Sequence, residues 1–210
     1  MKVLAIGAHF DDPELGCGGS LARHVDKGDE VTIYCVTRSG YSNVLKRTVR
    51  DNEKAFQEGV EAARRLNCNL ITGDFDTFKI AFNDELNLAI RTVIDEYVPD
   101  LIYTHWLHDI HHDHQIVAQS TLHAARHIPR LLMYRSNWYH SSHQFDGNFY
   151  VDISDYWEKK SSAIQAHESE FERGVGSQWL EFFENEAINA GQRIGVKYAE
   201  VFSVLKWLVK

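Results

Sequence analysis

The sequence predicts an α/β fold: a mostly parallel sheet with helices on both faces, followed by a small C-terminal α/β extension. Three observations lead there. Over the first 135 residues, short β-branched apolar runs alternate with longer amphipathic stretches, the pattern of βαβ units. Right-handed crossovers then place helices on both faces of the sheet. After residue 136 that rhythm changes. A chain of 210 residues, 44% hydrophobic and 25% charged, also has the size and mix of one globular domain. No linker, charge block or repeat divides it, so residues 1–136 read as the core and 137–210 as an extension of the same domain.

Each element has its own signal. Residues 2–8 (KVLAIGA) read as a buried strand, and residues 15–27 as a helix closing at Gly28. Residues 30–37 (EVTIYCVT) are the second strand. Residues 43–66 are rich in helix formers at a 3.6 period and predict one long helix. Residues 69–72 form a short strand. Residues 85–97 are helical, with Leu86, Leu88, Ile90, Val93 and Ile94 at helical spacing. A strand at 100–104, a helix at 115–127 and an extended run at 131–135 complete the core. In the extension, 149–153 reads as a strand and 155–173 as a helix with Ser154 as its N-cap. A loop at 174–177 and a helix at 179–190 follow. The apolar run 198–209 fits strand or helix equally.

Composition excludes several classes of function. A net charge of −8 disfavours a nucleic-acid binder, which needs clustered Lys and Arg to neutralise phosphates. The opening MKVLAIGAHFDD has an apolar run too short for a signal-peptide core, and no run reaches membrane-span length. Cys17, Cys35 and Cys68 are odd in number and widely spaced, which suits reduced thiols in a cytoplasmic protein. The unusual number is 12 His, five of them between residues 105 and 114.

Two polar clusters carry the chemistry. The first strand runs directly into Ala8-His9-Phe10-Asp11-Asp12-Pro13-Glu14. Ligands bind at the carboxyl ends of strands in open α/β sheets. His9 and Asp12, three apart on a tight turn, can share one centre, and imidazole with carboxylate is a legitimate zinc pair. The same Asp residues also suit capping of the next helix. The fourth core strand runs equally directly into His105-Trp106-Leu107-His108-Asp109-Ile110-His111-His112-Asp113-His114. Imidazole nitrogens need polar partners, so packing alone does not explain five His here. His9, Asp12 and one His of this loop supply three ligands, and a catalytic zinc keeps a fourth position open. The glycines Gly16, Gly18 and Gly19 miss the dinucleotide pattern, since the third would fall at Leu21. They suit close helix-on-sheet packing instead.

Taken together, the run Ala8–Gly19 (AHFDDPELGCGG) and the later His111-His112-Asp113-His114 resemble the zinc-dependent sugar N-deacetylase family known as PIG-L or LmbE-like. Its motifs are A-H-P-D-D-x-x-x-G-x-G-G and H-x-D-H, and the departure here is Phe10 in place of Pro. The resemblance implies a Rossmann-like fold, a Zn²⁺ cofactor and hydrolysis of an N-acetyl group on an amino-sugar conjugate. It implies that His9, Asp12 and His114 ligate the metal and that Asp11 is the general base. It implies that His111 is the opposing acid, held and charged by Asp113. It extends to the substrate through Asp76, similar to a family Asp that binds sugar hydroxyls, and through His167 in a Lys-to-His segment. An Arg on the second long helix is also implied, with Arg47 and Arg50 as candidates. Thr37-Arg38-Ser39-Gly40 resembles a T-x-G loop of the family, and Arg38 suits an anionic group on the conjugate.

His105, His108 and His112 flank these positions, with His112 expected to point outward. Trp138, Tyr139, Tyr156 and Trp179 are candidates for a sugar-stacking wall. Two His and one carboxylate also suit a non-haem iron enzyme, and a non-catalytic sugar-binding module is the reading from another class. The resemblance admits a homo-oligomer, such as a trimer or hexamer, and leaves the oligomeric state open.

Overall fold

The structure, a computed structural model, describes residues 1–42 and 45–209. Its first strand, β1 (Lys2–Gly7), is buried on both faces, which is why it reads as an unbroken apolar run. Val3 and Ala5 face one core with α1 (Asp12–Asp26), while Leu4 and Ile6 face the other. Strand β2 (Glu30–Thr37) pairs parallel with β1. A short antiparallel hairpin follows, β3 (Tyr41–Ser42) with β4 (Thr48–Arg50). The single helix expected over 43–66 is therefore shorter. Asp51 stops the strand and caps α2 (Asn52–Leu66), its carboxylate accepting from the amides of Glu53 and Lys54. Residues 43 and 44 of that expected helix lie outside the described residues.

Strand β5 (Asn69–Phe75) runs three residues beyond its expected end, and α3 (Asp84–Tyr97) is capped by Asn83. Strand β6 (Leu101–His105), α4 (His112–Ala124) and β7 (Arg130–Tyr134) complete the core. In the extension, β8 (Phe149–Asp152) leads to α5 (Trp157–Ile164), α6 (Glu168–Glu172) and α7 (Gly176–Ile194). The helix expected over 155–173 thus divides at Gln165–His167, and α7 begins inside the expected loop. Ser154 is not its cap, since its hydroxyl donates to Asp152 Oδ1 at 2.7 Å. The ambiguous C-terminal run is a strand, β9 (Ala199–Trp207), inserted antiparallel between β7 and β8.

Among the described residues, the main sheet has the order β5-β2-β1-β6-β7-β9-β8. From β1 the chain moves outward through β2 and β5, then returns to place β6 on the other side of β1. The direction reverses between β1 and β6. That switch point opens a crevice at the carboxyl ends of the two strands, from which both polar clusters emerge. No described helix is long and apolar enough to cross a membrane.

Candidate active site at the sheet switch point

Both polar loops run straight into helices. Asp12 opens α1, and His112, Asp113 and His114 open α4, so two helix N-termini converge where the carboxylates lie. Capping does not explain the acids. Asp11 stands at the N-cap of α1 without a side-chain cap bond, and Asp12 Oδ2 accepts from the amide of His9 at 2.7 Å.

Asp12 is the hub. Its carboxylate lies 3.1 Å from His114 Nε2, 3.3 Å from His9 Nδ1 and 3.2 Å from His105 Nε2. Ser136 Oγ donates to it at 2.9 Å. Ligand atoms of His9, His111 and His114 lie within 4.8 Å of one another, as do those of Asp12, His105 and His114 and of His9, Asp11 and Asp12. Each pair within the implied set His9, Asp12 and His114 falls in one of these groups. His105 accepts the Ala8 amide at Nε2 (2.9 Å), so that nitrogen carries no proton, and its ring stacks on His114 at 4.0 Å.

Electrostatics here call for positive charge. Burial alone would lower the pKa of His9, but Asp12 and Asp113 outweigh it and raise it to about 9. His114 is likewise raised to about 10 against its burial, by Asp12 and Asp109. A divalent cation held by His9, Asp12 and His114 would supply that charge in place of the protons and use the imidazole lone pairs. The residues fit a metal.

Asp109 is a buried carboxylate of the cluster to which the sequence assigned no role. Its Oδ2 lies 3.1 Å from His114 Nδ1, Asn137 Nδ2 donates to both its oxygens at 2.7 and 2.8 Å, and it accepts the His111 amide at 2.8 Å. Burial would raise its pKa, yet the bond from His114 and that ring's charge hold it down at about 2. Its one sequence signal was its place within the His-rich loop.

The expected His111–Asp113 pair does not form. Asp113 Oδ2 lies 3.0 Å from His9 Nε2 and accepts the Phe78 amide at 2.8 Å. Residues two apart at the start of a helix face different ways. His111 instead packs edge-on to His9 at 4.9 Å, its Nδ1 buried without a partner. Burial, then the charges of His114 and His9, lower its pKa and keep its ring neutral. His112 is exposed, as expected, and reaches the Ile80 carbonyl at 2.9 Å.

Asp11 meets the hairpin: Arg50 Nη1 donates to its Oδ2 at 2.9 Å. The Arg50 guanidinium is 3% exposed and also contacts Glu58 (3.3 Å), Glu170 (3.4 Å) and His167 Nδ1 (3.4 Å). His167, expected at the substrate, is fully buried behind Arg50, with Nε2 3.9 Å from Glu14 Oε2. Arg38 is exposed on Asp74 at 2.5 Å and does not line the central cavity. Asp76 pairs with Lys79 at 2.9 Å and lines a neighbouring hollow. That hollow shares Tyr41, Arg50, Thr77 and Phe78 with the central cavity. The central cavity has a volume of about 230 Å³. His9, Asp11, Asp12, His111 and His114 line it, and so do the aromatic rings of Tyr41, Phe78, Trp138 and Trp179. Tyr156 lies elsewhere, its hydroxyl on Asp26.

The chain is similar to known proteins over most of its length. The family model described as "PIG-L: GlcNAc-PI de-N-acetylase" matches residues 4–125. An uncharacterized deacetylase of Escherichia coli K12, YaiS, is 31% identical over 179 residues, covering 80% of this chain and 90% of its own. Diacetylchitobiose deacetylase of Thermococcus kodakarensis is 27% identical over 225 residues, covering 95% and 81%. The crystal structure of a conserved protein from Thermus thermophilus superposes with a TM-score of 0.84 at 26% identity, covering 99% of this chain and 96% of that one.

Proposed function

The chain belongs to the PIG-L family of de-N-acetylases, and we propose that it hydrolyses the acetamido group of an amino sugar at a zinc ion held by His9, Asp12 and His114. It is an amidohydrolase of the N-deacetylase type. The observation that carries the site assignment is the buried cluster around Asp12, with Asp11 one residue away and the cavity opening over both.

When bound, zinc acidifies a water molecule and polarises the acetyl carbonyl. The protein's own groups do the rest. Asp11 accepts the water proton, and the Arg50 guanidinium, donating to its Oδ2, holds its carboxylate in place. His114 is oriented through Nδ1 by Asp109, and His9 through Nε2 by Asp113. The neutral ring of His111 donates a hydrogen bond to the oxygen that gains charge as the carbonyl is attacked. The proton that lets the amine leave is the one Asp11 took from water. The C–N bond breaks as nitrogen gains that proton, and acetate and free amine depart.

Relatives that act on diacetylchitobiose supply the first probe. Acetate release is measured from diacetylchitobiose and from a panel of N-acetylated sugar conjugates, with zinc or iron restored to chelated protein. Asp11→Asn is expected to lose about 10²- to 10⁴-fold in kcat, and His114→Ala to lose metal and activity together. Full activity in both variants would falsify the assignment.

A further inference from the structure

Phe78 has two features the free protein does not need. Its backbone lies at φ +64°, a region that bulky L-residues avoid, and its side chain is 51% exposed. The backbone has a use, because the Phe78 amide pins Asp113 Oδ2 at 2.8 Å. Glycine would give the same amide without strain, so the ring needs a separate reason. It lies 5.2 Å from the His111 ring and 6.5 Å from His9, with Tyr41 edge-on at 5.5 Å. The ring therefore stands beside the reacting corner.

Charge in the cavity points the same way. Both guanidiniums that line it already have carboxylate partners: Arg50 on Asp11, Glu58 and Glu170, and Arg173 on Glu170. A phosphate needs donors that are not already paired. A pyranose needs an apolar surface, since its C–H groups pack against the negative face of an aromatic ring.

We propose that Phe78 is a specificity-determining platform on which the sugar ring stacks, and that the cavity selects uncharged N-acetyl amino glycosides over phosphorylated ones. The proposal rests on the deacetylase reading above. Calorimetric binding tests it on zinc-loaded, full-length protein in the Asp11→Asn background, so that binding is read without turnover. The probes are the methyl glycoside and the 1-phosphate of N-acetylglucosamine. The methyl glycoside is expected to bind at least about tenfold more tightly than the 1-phosphate. Phe78→Ala is expected to weaken the glycoside by about tenfold, roughly 1.4 kcal/mol, and Phe78→Tyr to restore it. Phe78→Gly is expected to melt above Phe78→Ala, because glycine relieves the left-handed backbone, yet to lose the sugar equally. The proposal is overturned if the 1-phosphate binds as well, if Phe78→Ala binds the glycoside as the Phe78 protein does, or if neither probe binds. Should the binding pattern hold while the Asp11 enzyme releases no acetate from any conjugate, the deacetylase reading fails and the platform stands.

Discussion

Asp109 does not line the central cavity, yet three groups from two segments of chain converge on it: His114 and the His111 amide from the start of α4, and Asn137 from beyond β7. A carboxylate that fixes the tautomer and direction of a metal-binding His typically contributes 10- to 100-fold in affinity. Asp109→Ala is therefore expected to weaken zinc by about that factor, measured by competition with a chromophoric chelator. An unchanged affinity would show that packing holds His114 without Asp109. At this scale the sequence was most informative about identity and least about direction. His111 and His114 stood out because imidazoles crowd in one short loop, and His9 and Asp12 because they stand three apart just beyond the first strand. That Asp113 turns to His9 and away from His111 depends on about 100° of rotation per helical residue, which no composition records.

The glycines of α1 mark where elements approach too closely for side chains. A Cβ at Gly16 would lie 2.1 Å from the Tyr134 ring, and one at Gly19 would lie 2.8 Å from Ile153. This contact lets a buried ion pair reach the helix backbone. Lys160 Nζ donates to the Leu15 carbonyl at 2.8 Å and to Glu200 Oε1 at 2.6 Å. Glu200 accepts the amides of Gly19 and Ser20 at 3.0 and 2.7 Å. The pair thus ties α5 and β9 to the helix that begins at Asp12. Removing one partner strands the other charge in the core. Lys160→Met is expected to cost about 3–5 kcal/mol, and Lys160→Met with Glu200→Leu to cost less than the single change. Urea unfolding of both variants decides it, and a double variant worse than the single one refutes the argument. The glycine run was legible as close packing, but its partners come from residues 134, 153 and 160 and only the fold brings them there.

Across the whole molecule, stability follows its buried histidines. Burial, with Arg50 acting in the same direction, lowers the His167 pKa to about 4 although Asp11 and Glu58 oppose the shift. The unfolded chain takes this proton near pH 6.5. Between pH 6.5 and 4 the unfolded state therefore binds a proton that the folded state refuses. Stability falls over that window by on the order of 3 kcal/mol. His9 and His114 act oppositely in chelated protein. Their raised pKa values contribute stability below pH 6.5, which is lost as pH rises through about 9 and 10. His167→Gln is expected to flatten the acid side of the profile, read from denaturant midpoints at pH 7 and 4.5. An equally steep fall in the variant would assign the acid sensitivity to other groups.

The sequence by itself determined the α/β class, the parallel core and the two motif loops. Strands buried on both faces must read as apolar runs, and a cluster of imidazoles and carboxylates has few uses other than a site. Only the tertiary structure decided that β9 is a strand, that a hairpin interrupts the expected helix at 43–66, and that Arg50 and His167 back Asp11 while Arg38 faces outward. Those outcomes depend on which distant segments meet at the β1/β6 switch point. Local periodicity and spacing report what a residue can do with its neighbours in the chain, whereas partners more than a hundred residues away are chosen by how the layers pack.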